Sequence, residues 1–153
     1  IDTGFPGMKL LQFAFDSKQE SDYLPHLYQN NVVVYTGTHD NETTKTWFSK
    51  LSEEDLKYCL KYMNHSGNQN KIDSLIKLVL ASIADTAIIP MQDYLHLGAE
   101  GRMNTPSTTG DNWRWRLLPS ELNSKLLIKV KDMTTLYGRG KTKDDSSIFF
   151  GKI

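Results

Sequence analysis

Short runs of apolar residues alternate along this chain with polar segments and with helical repeats. The most distinct run is Val32-Val33-Val34-Tyr35, which is followed by a Thr/Gly break and the polar group His39-Asp40-Asn41. Consecutive β-branched residues are typical of a strand buried on both faces, as in parallel sheets. Two further apolar runs complete a set of three predicted strands, near residues 9–14, 32–36 and 87–91.

Helical patterns occupy the intervals between and after these strands. A helix is predicted from about Thr43 to Lys50, and Ser52-Glu53-Glu54-Asp55 resembles a capping box that opens a second one. A third helix is predicted from apolar residues at helical spacing. They are Ile72, Leu75, Ile76, Val79, Leu80 and Ile83. Pro119 suits the first turn of a last helix, and Gly138 suits its end.

Strands that alternate with helices predict a parallel α/β sheet whose loops meet on one rim. The rim then gathers acidic, amide and aromatic side chains, which suit the hydroxyls and the apolar faces of a sugar. The side chains are Phe13, Asp16, His39, Asp40, Asn41, Gln92, Asp93, Arg102, Asn104, Trp113 and Trp115. Structural alternatives stay open. Asp40 or Asn41 could cap the helix near Thr43, and the two tryptophans could pack under a long loop.

Composition narrows the function classes. The chain has 153 residues, enough for one domain with a substantial core, and its 18 basic and 18 acidic residues give a net charge of zero. A nucleic-acid or membrane-surface partner is therefore not expected, and no apolar run reaches the roughly 20 residues of a membrane span. The single cysteine, Cys59, lies on the apolar face of a predicted helix, so we expect it to pack in the core. A chain with one cysteine suits a reducing compartment. The opening Ile1-Asp2-Thr3-Gly4 resembles neither a signal peptide nor a natural start, so we expect a piece of a longer protein.

Several long motifs follow one another along this chain. They are Gly4-Phe5-Pro6-Gly7-Met8-Lys9-Leu10-Leu11-Gln12-Phe13-Ala14-Phe15, Tyr23-Leu24-Pro25-His26, Val33-Val34-Tyr35-Thr36-Gly37-Thr38-His39-Asp40-Asn41, Ile88-Ile89-Pro90-Met91-Gln92-Asp93, Arg102-Met103-Asn104-Thr105-Pro106 and Asn112-Trp113-Arg114-Trp115-Arg116. In these motifs the chain closely resembles the amylomaltases, which are the 4-α-glucanotransferases or disproportionating enzymes of the α-amylase group. The resemblance runs in the family's order from about residue 3 to Gly138.

This resemblance implies a partial (β/α)8 barrel that comprises about the last three βα units. Residues 1–139 would be the C-terminal part of the catalytic domain, and residues 140–153 a poorly ordered tail. The family transfers a 1,4-α-glucan segment to the 4-OH of an acceptor glucan or glucose with retention. No cofactor and no metal are expected, and the location would be the cytoplasm, or a plastid if the chain comes from a plant.

The resemblance also implies roles for individual residues. Asp40 matches the third carboxylate of the family, which holds the 2- and 3-hydroxyls of the sugar at the cleavage point. His39 matches a histidine on the same sugar, and Asn41 follows in the same motif as a substrate-binding residue. Phe13 and Asp16 match the acceptor side. Asn104 matches a sugar-contacting asparagine.

Some family features are missing. No segment matches the aspartate nucleophile or the glutamate acid/base, so we expect the isolated chain to be inactive. Ser107 and Asp111 stand where glycine is common in the family, which puts the conformation of this loop in question. Three strands leave two sheet edges open and predict self-association. The alternative function is a carbohydrate-binding or scaffolding module without catalysis.

Overall fold

A three-stranded parallel sheet organises the protein, and a computed structural model describes residues 4–140 of it. Its strands are β1 (Gly7–Leu10), β2 (Val32–Tyr35) and β3 (Thr86–Ile88), in the order β1-β2-β3. In register, Lys9 pairs with Val34, which pairs with Ala87. The predicted parallel sheet with flanking helices is confirmed. Within the described range, no helix is both long and apolar enough to cross a bilayer.

Five α-helices accompany the sheet in the described part of the chain. They are α1 (Thr44–Lys50), α2 (Glu53–Tyr62), α3 (Lys71–Ala81), α4 (Met91–Tyr94) and α5 (Ser124–Leu136). The four longer ones each begin at a side chain that accepts a hydrogen bond from a backbone N–H of the first turn. These caps are Thr43, Ser52, Asn70 and Asn123. The predicted helices near 43–50, after Ser52 and around Ile72 are therefore confirmed. The prediction that Ile83 lies on the apolar face of the third helix is wrong, because α3 ends at Ala81 and Ile83 is 58% exposed.

The first and third predicted strands are too long. Strand β1 ends at Leu10, and Leu11–Phe13 forms a 3₁₀ turn closed by a bond from the Ala14 N–H to the Leu11 carbonyl (3.0 Å). Strand β3 ends at Ile88, and Pro90 instead precedes the short helix α4. Proline has no N–H to donate to a strand ladder, which explains why the strand stops before it.

The prediction that Pro119 opens the last helix is wrong. Pro119–Glu121 forms a separate 3₁₀ turn, and α5 begins only at Ser124, because Asn123 supplies the cap. At the other end the prediction is confirmed. Gly138 has φ +66°, and N–H groups after the helix reach the carbonyls of Thr134 and Thr135, which is the Schellman arrangement.

The core lies on one face of the sheet. Val32 and Val34 are buried in this core, whereas Val33 and Tyr35, which point to the other face, are half-buried. The prediction of a strand buried on both faces is therefore wrong. Cys59 is fully buried, and this burial raises the pKa of its thiol to about 12, in keeping with a packing role. The predicted tail lies, from residue 141 onward, outside the described residues.

One buried carboxylate joins the end of β2 to the start of α1. Asp93 is 2% exposed, and its oxygens accept hydrogen bonds from the Thr36 hydroxyl (2.5 Å), the Thr44 hydroxyl (2.8 Å) and the Thr44 N–H (2.9 Å). Thr36 directly follows β2, and Thr44 is the first residue of α1. Asp93 therefore fixes both ends of the loop 37–43. Burial raises the pKa of Asp93 in spite of these three donors.

Asp93 should make the stability of the fold depend on pH. Because its pKa is higher in the folded chain than the ordinary value of 3.8, the folded state holds this proton more tightly than the unfolded state. The contribution of Asp93 to the free energy of unfolding should then fall as pH rises above 3.8, by about 1.4 kcal/mol for each unit of raised pKa. Urea unfolding of Asp93→Asn and the unchanged chain at a series of pH values measures this change.

Asp93→Asn should gain stability relative to the unchanged chain as pH rises, because the amide does not titrate. Asp132→Asn, at an exposed position on α5, is the matched control and should show no such trend. A difference that stays constant with pH, or that moves the other way, would contradict the prediction.

Arg139 ties the chain after α5 to the end of α3. Its Nε donates to the Leu80 carbonyl (2.7 Å), and its Nη2 donates to the carbonyls of Ser82 (2.7 Å) and Ala84 (2.9 Å). A single guanidinium thus satisfies one carbonyl in the last turn of α3 and two just after it, where a positive charge is also favoured by the helix dipole.

Arg139→Lys should lower the free energy of unfolding by about 2 kcal/mol, since the ammonium cannot reproduce the planar set of three charged hydrogen bonds. Chemical denaturation measures the loss. The matched control is Arg114→Lys, whose ion pair with Asp111 is 75% and 89% exposed and which should change stability by less than about 0.5 kcal/mol. Equal effects at the two positions would sink this interpretation.

Candidate functional site

The loop that follows β2 can pass close to the 3₁₀ turn after β1 only because it contains glycine. A Cβ atom on Gly37 would lie 2.6 Å from Nε2 of Gln12. That nitrogen donates to the carbonyl of Glu42 (3.0 Å), so the buried amide is held in place and has little room to move. The Gln12 side chain thus supports the far end of the loop, and Gly37 leaves the space for it.

Asn41 shapes this loop from within. Its Oδ1 accepts hydrogen bonds from the N–H (2.8 Å) and the hydroxyl (2.7 Å) of Thr38. The cap of α1 is Thr43, whose hydroxyl oxygen accepts from the Thr46 N–H. The alternative that Asp40 or Asn41 caps this helix is therefore wrong, and the carboxylate of Asp40 is left for another role.

Asp40 stands at the outer end of the loop with one side open. Its Oδ1 accepts a hydrogen bond from Nδ2 of Asn104 (2.6 Å) and lies 3.3 Å from Nε2 of His39. Its side chain is 48% exposed and that of His39 is 51% exposed. Among residues 4–140, no donor reaches the second oxygen, Oδ2. The structure thus brings together three predicted site residues and leaves an oriented carboxylate oxygen accessible to a ligand.

Arg102 joins the two loops that carry these side chains. Its guanidinium donates to the carbonyls of Asp40 (3.1 Å) and Asn104 (2.9 Å) and to the carboxylate of Glu42 (2.5 Å). Lys50 shares that carboxylate at 2.5 Å. The sequence placed Arg102 only among the predicted rim side chains, and the meeting of two distant loops reveals its role. Its place two residues before Asn104 was the available signal.

Trp113 completes the row of side chains beside Asp40. Its ring lies 4.9 Å from the His39 ring, centroid to centroid, and its side chain remains half exposed. The N–H of Asn104 donates to the His39 carbonyl (3.1 Å), so the two loops are connected through their backbones. Within the second loop, the N–H of Trp113 donates to the Met103 carbonyl (2.6 Å).

The two residues that replace glycines common in the family both have a left-handed backbone conformation. Ser107 has φ +61° and Asp111 has φ +53°, a region that glycine adopts without a steric penalty. These backbone angles explain why glycine suits both places, and the loop keeps this conformation with other residues in them.

The remaining predicted residues lie apart from this cluster. Phe13 is half exposed and packs edge-on against Tyr23, with ring centroids 5.6 Å apart. Asp16 accepts hydrogen bonds from Lys18 and Gln19 and lines another cleft. Within residues 4–140, neither side chain has a hydrogen bond or ring contact with His39, Asp40 or Asn104.

A small cavity of about 110 Å³ lies behind the loop, lined in part by Thr38, Glu42 and Arg102. Gln92 and Asp93 also line it, but they are 8% and 2% exposed. The expectation that these two residues stand on the open rim is therefore wrong, because the short helix α4 turns them inward. The accessible groups are those of Asp40, His39, Asn104 and Trp113, which can accept from, donate to and pack against a polyhydroxylated ligand.

Known proteins share this chain's sequence over most of its length. A 4-alpha-glucanotransferase of Synechocystis sp. is 48% identical over 136 residues, which is 88% of this chain and 27% of that protein. A 4-alpha-glucanotransferase of Clostridium butyricum is 43% identical over 138 residues, or 90% and 28% of the two chains. A chloroplastic/amyloplastic 4-alpha-glucanotransferase of Solanum tuberosum is 44% identical over 88% of this chain and 24% of its own length.

The fold is shared as well. An amylomaltase of Streptococcus agalactiae, solved in complex with acarbose, superimposes with a TM-score of 0.87 at 39% identity, over 91% of this chain and 28% of its own. The sheet and its helices are thus part of an α/β barrel, and the chain spans about a quarter of the length of the relatives it matches. The family model for 4-alpha-glucanotransferase matches residues 1–122. The resemblance seen in the sequence is confirmed, and the chain belongs to the 4-alpha-glucanotransferase family.

Proposed function

We propose that this chain is the part of a 4-α-glucanotransferase that binds and distorts the sugar at the cleavage point. The parent reaction moves a 1,4-α-glucan segment to the 4-OH of an acceptor glucan or glucose with retention. The observation that carries the proposal is the half-exposed Asp40 carboxylate, which is oriented by Asn104 and His39 and has one oxygen open. Membership of the family supplies the reaction class.

The chemistry of the reaction explains why a third carboxylate is useful. Glycosyl transfer passes through an oxocarbenium-like state, in which the sugar ring flattens and gains positive charge. A preorganised carboxylate that accepts hydrogen bonds from ring hydroxyls interacts more strongly with this state than with the ground state. Asn104 occupies Oδ1 of Asp40, so we assign Oδ2 to the sugar hydroxyls, with His39 beside it as a further contact.

Two further carboxyl groups are needed for retention, about 5–5.5 Å apart, one as nucleophile and one as acid/base. We propose that residues outside this sequence supply both, and that residues 1–139 form part of the barrel, followed by a tail at 140–153. The same proposal assigns Asn41 to shaping the loop and Phe13 and Asp16 to the acceptor side of the complete site. Alpha-1,4-glucans or maltooligosaccharides are then the substrates.

The location that we propose is the cytoplasm, or a plastid for a plant protein. The support is indirect and consists of the bacterial relatives and of the relative named chloroplastic/amyloplastic. The reduced, fully buried Cys59 suits such a compartment.

Asp40→Asn in the complete natural gene product tests the proposed function. The substitution preserves shape but removes the negative charge, so kcat for glucose release from maltotriose should fall by a factor of roughly 10² to 10⁴. Substrate binding should change much less, because the charge matters most in the transition state. A chemical quench assay gives kcat and KM, and thermal unfolding gives stability.

The matched control is Asp132→Asn, which makes the same chemical change at an exposed position on α5 and should leave kcat unaltered. A normal kcat in Asp40→Asn would overturn the proposed role. Binding of glucan without any turnover by the complete gene product would favour the carbohydrate-binding alternative instead.

The isolated 153-residue chain should self-associate through its sheet edges. Strands β1 and β3 end the described sheet, and Met8 and Ile88 on them are 58% and 43% exposed. Exposed edges with apolar side chains favour pairing between copies. Light scattering should therefore give a mass above that of one chain. Met8→Lys, which places a charge on the edge of β1, should shift the mass toward the monomer. A monomer at all concentrations would refute self-association.

A further inference from the structure

The backbone of Trp113 lies in a conformation that is unfavourable for a bulky residue. Its φ is +65°, in the left-handed region where an L-residue other than glycine is disfavoured by roughly 1–2 kcal/mol. At the same time half of its large side chain is exposed. Neither feature is expected of a tryptophan that serves only to pack a loop, since burial would then offset the strain.

Contacts on both sides hold this strained backbone in place. The Trp113 N–H donates to the Met103 carbonyl (2.6 Å), and the Trp113 carbonyl accepts from Nη1 of Arg116 (2.6 Å). Just before it, the Asn112 side chain accepts from the Thr105 N–H (2.9 Å). The surrounding loop thus stabilises a conformation that Trp113 alone would not adopt, and the result is a fixed position for the indole ring.

That position extends the row of accessible groups at the site. Asn104 contacts Asp40 at 2.6 Å, Asp40 lies 3.3 Å from His39, and the His39 ring lies 4.9 Å from the Trp113 ring. The row therefore runs from an amide and a carboxylate, which suit hydroxyl groups, to an exposed flat ring. Sugar rings carry hydroxyls at their edges and C–H groups on their faces, and aromatic side chains pack against such apolar surfaces.

We propose that Trp113 is a glucan-binding residue, whose indole packs against a glucose unit next to the one that Asp40 holds. The inference rests on the proposed glucan substrate and adds a specificity contact to that site. Because this packing is present equally before and during the reaction, it contributes to substrate binding and not to the rate of the chemical step. Trp115, two residues later, is half-buried and shows no ring contact with His39 in the described part of the chain.

The test compares Trp113→Gly with Trp113→Phe in the complete natural gene product, with maltotriose as the probe. Glycine removes the ring and also the left-handed strain, so the melting temperature should stay within a few degrees of the unchanged protein. KM should rise about tenfold or more with kcat within about threefold, on the scale of losing one buried aromatic contact. Phenylalanine keeps an aromatic face and should restore most of the binding.

Asp111→Gly is the matched control, because it relieves the same kind of backbone strain (φ +53°) in the same loop without removing a ring. It should leave KM unchanged. Quenching of tryptophan fluorescence by maltotriose gives a second measurement, which Trp113→Phe should diminish and Trp115→Phe should preserve.

The outcomes separate this inference from the proposed function. An unchanged KM in Trp113→Gly, while Asp40→Asn still lowers kcat, would overturn the role of Trp113 alone. A large drop in melting temperature that Trp113→Phe reverses without changing KM would make the residue structural and would also overturn it. Failure of the unchanged protein to bind or turn over maltotriose would refute the proposed function, and with it this inference.

Discussion

The loop that carries the candidate site depends on one buried carboxylate. Asp93 lies 57 positions after Thr36 and 49 after Thr44, yet it bonds to both. Burying a carboxylate costs free energy unless donors surround it, and here two hydroxyls and one N–H do so. The last residue of the strand region and the first residue of α1 are therefore fixed relative to each other. The seven residues from Gly37 to Thr43 span this fixed gap, which limits where Asp40 can point.

A second, outer connection completes the restraint. Arg102 bonds to the backbone carbonyls of Asp40 and Asn104, and the same guanidinium meets the carboxylate of Glu42. Backbone carbonyls do not change with nearby side-chain substitutions, so this contact holds the two loops together whatever surrounds them. The hydrogen bond between the side chains of Asn104 and Asp40 then forms between groups that are already close, which lowers its entropic cost.

Local sequence patterns predicted those parts of the molecule that local forces determine. The β-branched run at 32–35 and the caps at Thr43 and Ser52 are decided by near neighbours. The same patterns failed where long-range contacts decide. Leu11–Phe13 has the composition of a strand but forms a 3₁₀ turn, in which the buried Gln12 side chain bonds to the distant Glu42 carbonyl (3.0 Å). Asp93 was expected on the rim since it follows a strand, and nothing in its immediate sequence reveals the two threonines that bury it.

The site residues divide in the same way. Asp40, His39 and Asn104 were identified through a family resemblance, and their proximity follows from two loops meeting at one end of a parallel sheet. The roles of Arg102 and Trp113 could not be predicted from the sequence. Residue types do not reveal that a guanidinium bonds two carbonyls and a carboxylate, or that a tryptophan has a positive φ. For Ser107 and Asp111, the sequence showed that glycine is replaced, but only the structure shows that both positions have a left-handed backbone.

Asp40 and Asp93 show how environment separates two chemically identical groups. Asp93 accepts three short hydrogen bonds within the protein and is excluded from solvent, so it has no capacity left for a ligand. Asp40 is held through one oxygen by Asn104 and keeps the other accessible. A carboxylate that must respond to charge developing on a sugar has to be oriented without being saturated. The fold meets both requirements because Asp93 holds the two ends of the loop, so that only one oxygen of the Asp40 carboxylate is used within the described part of the chain.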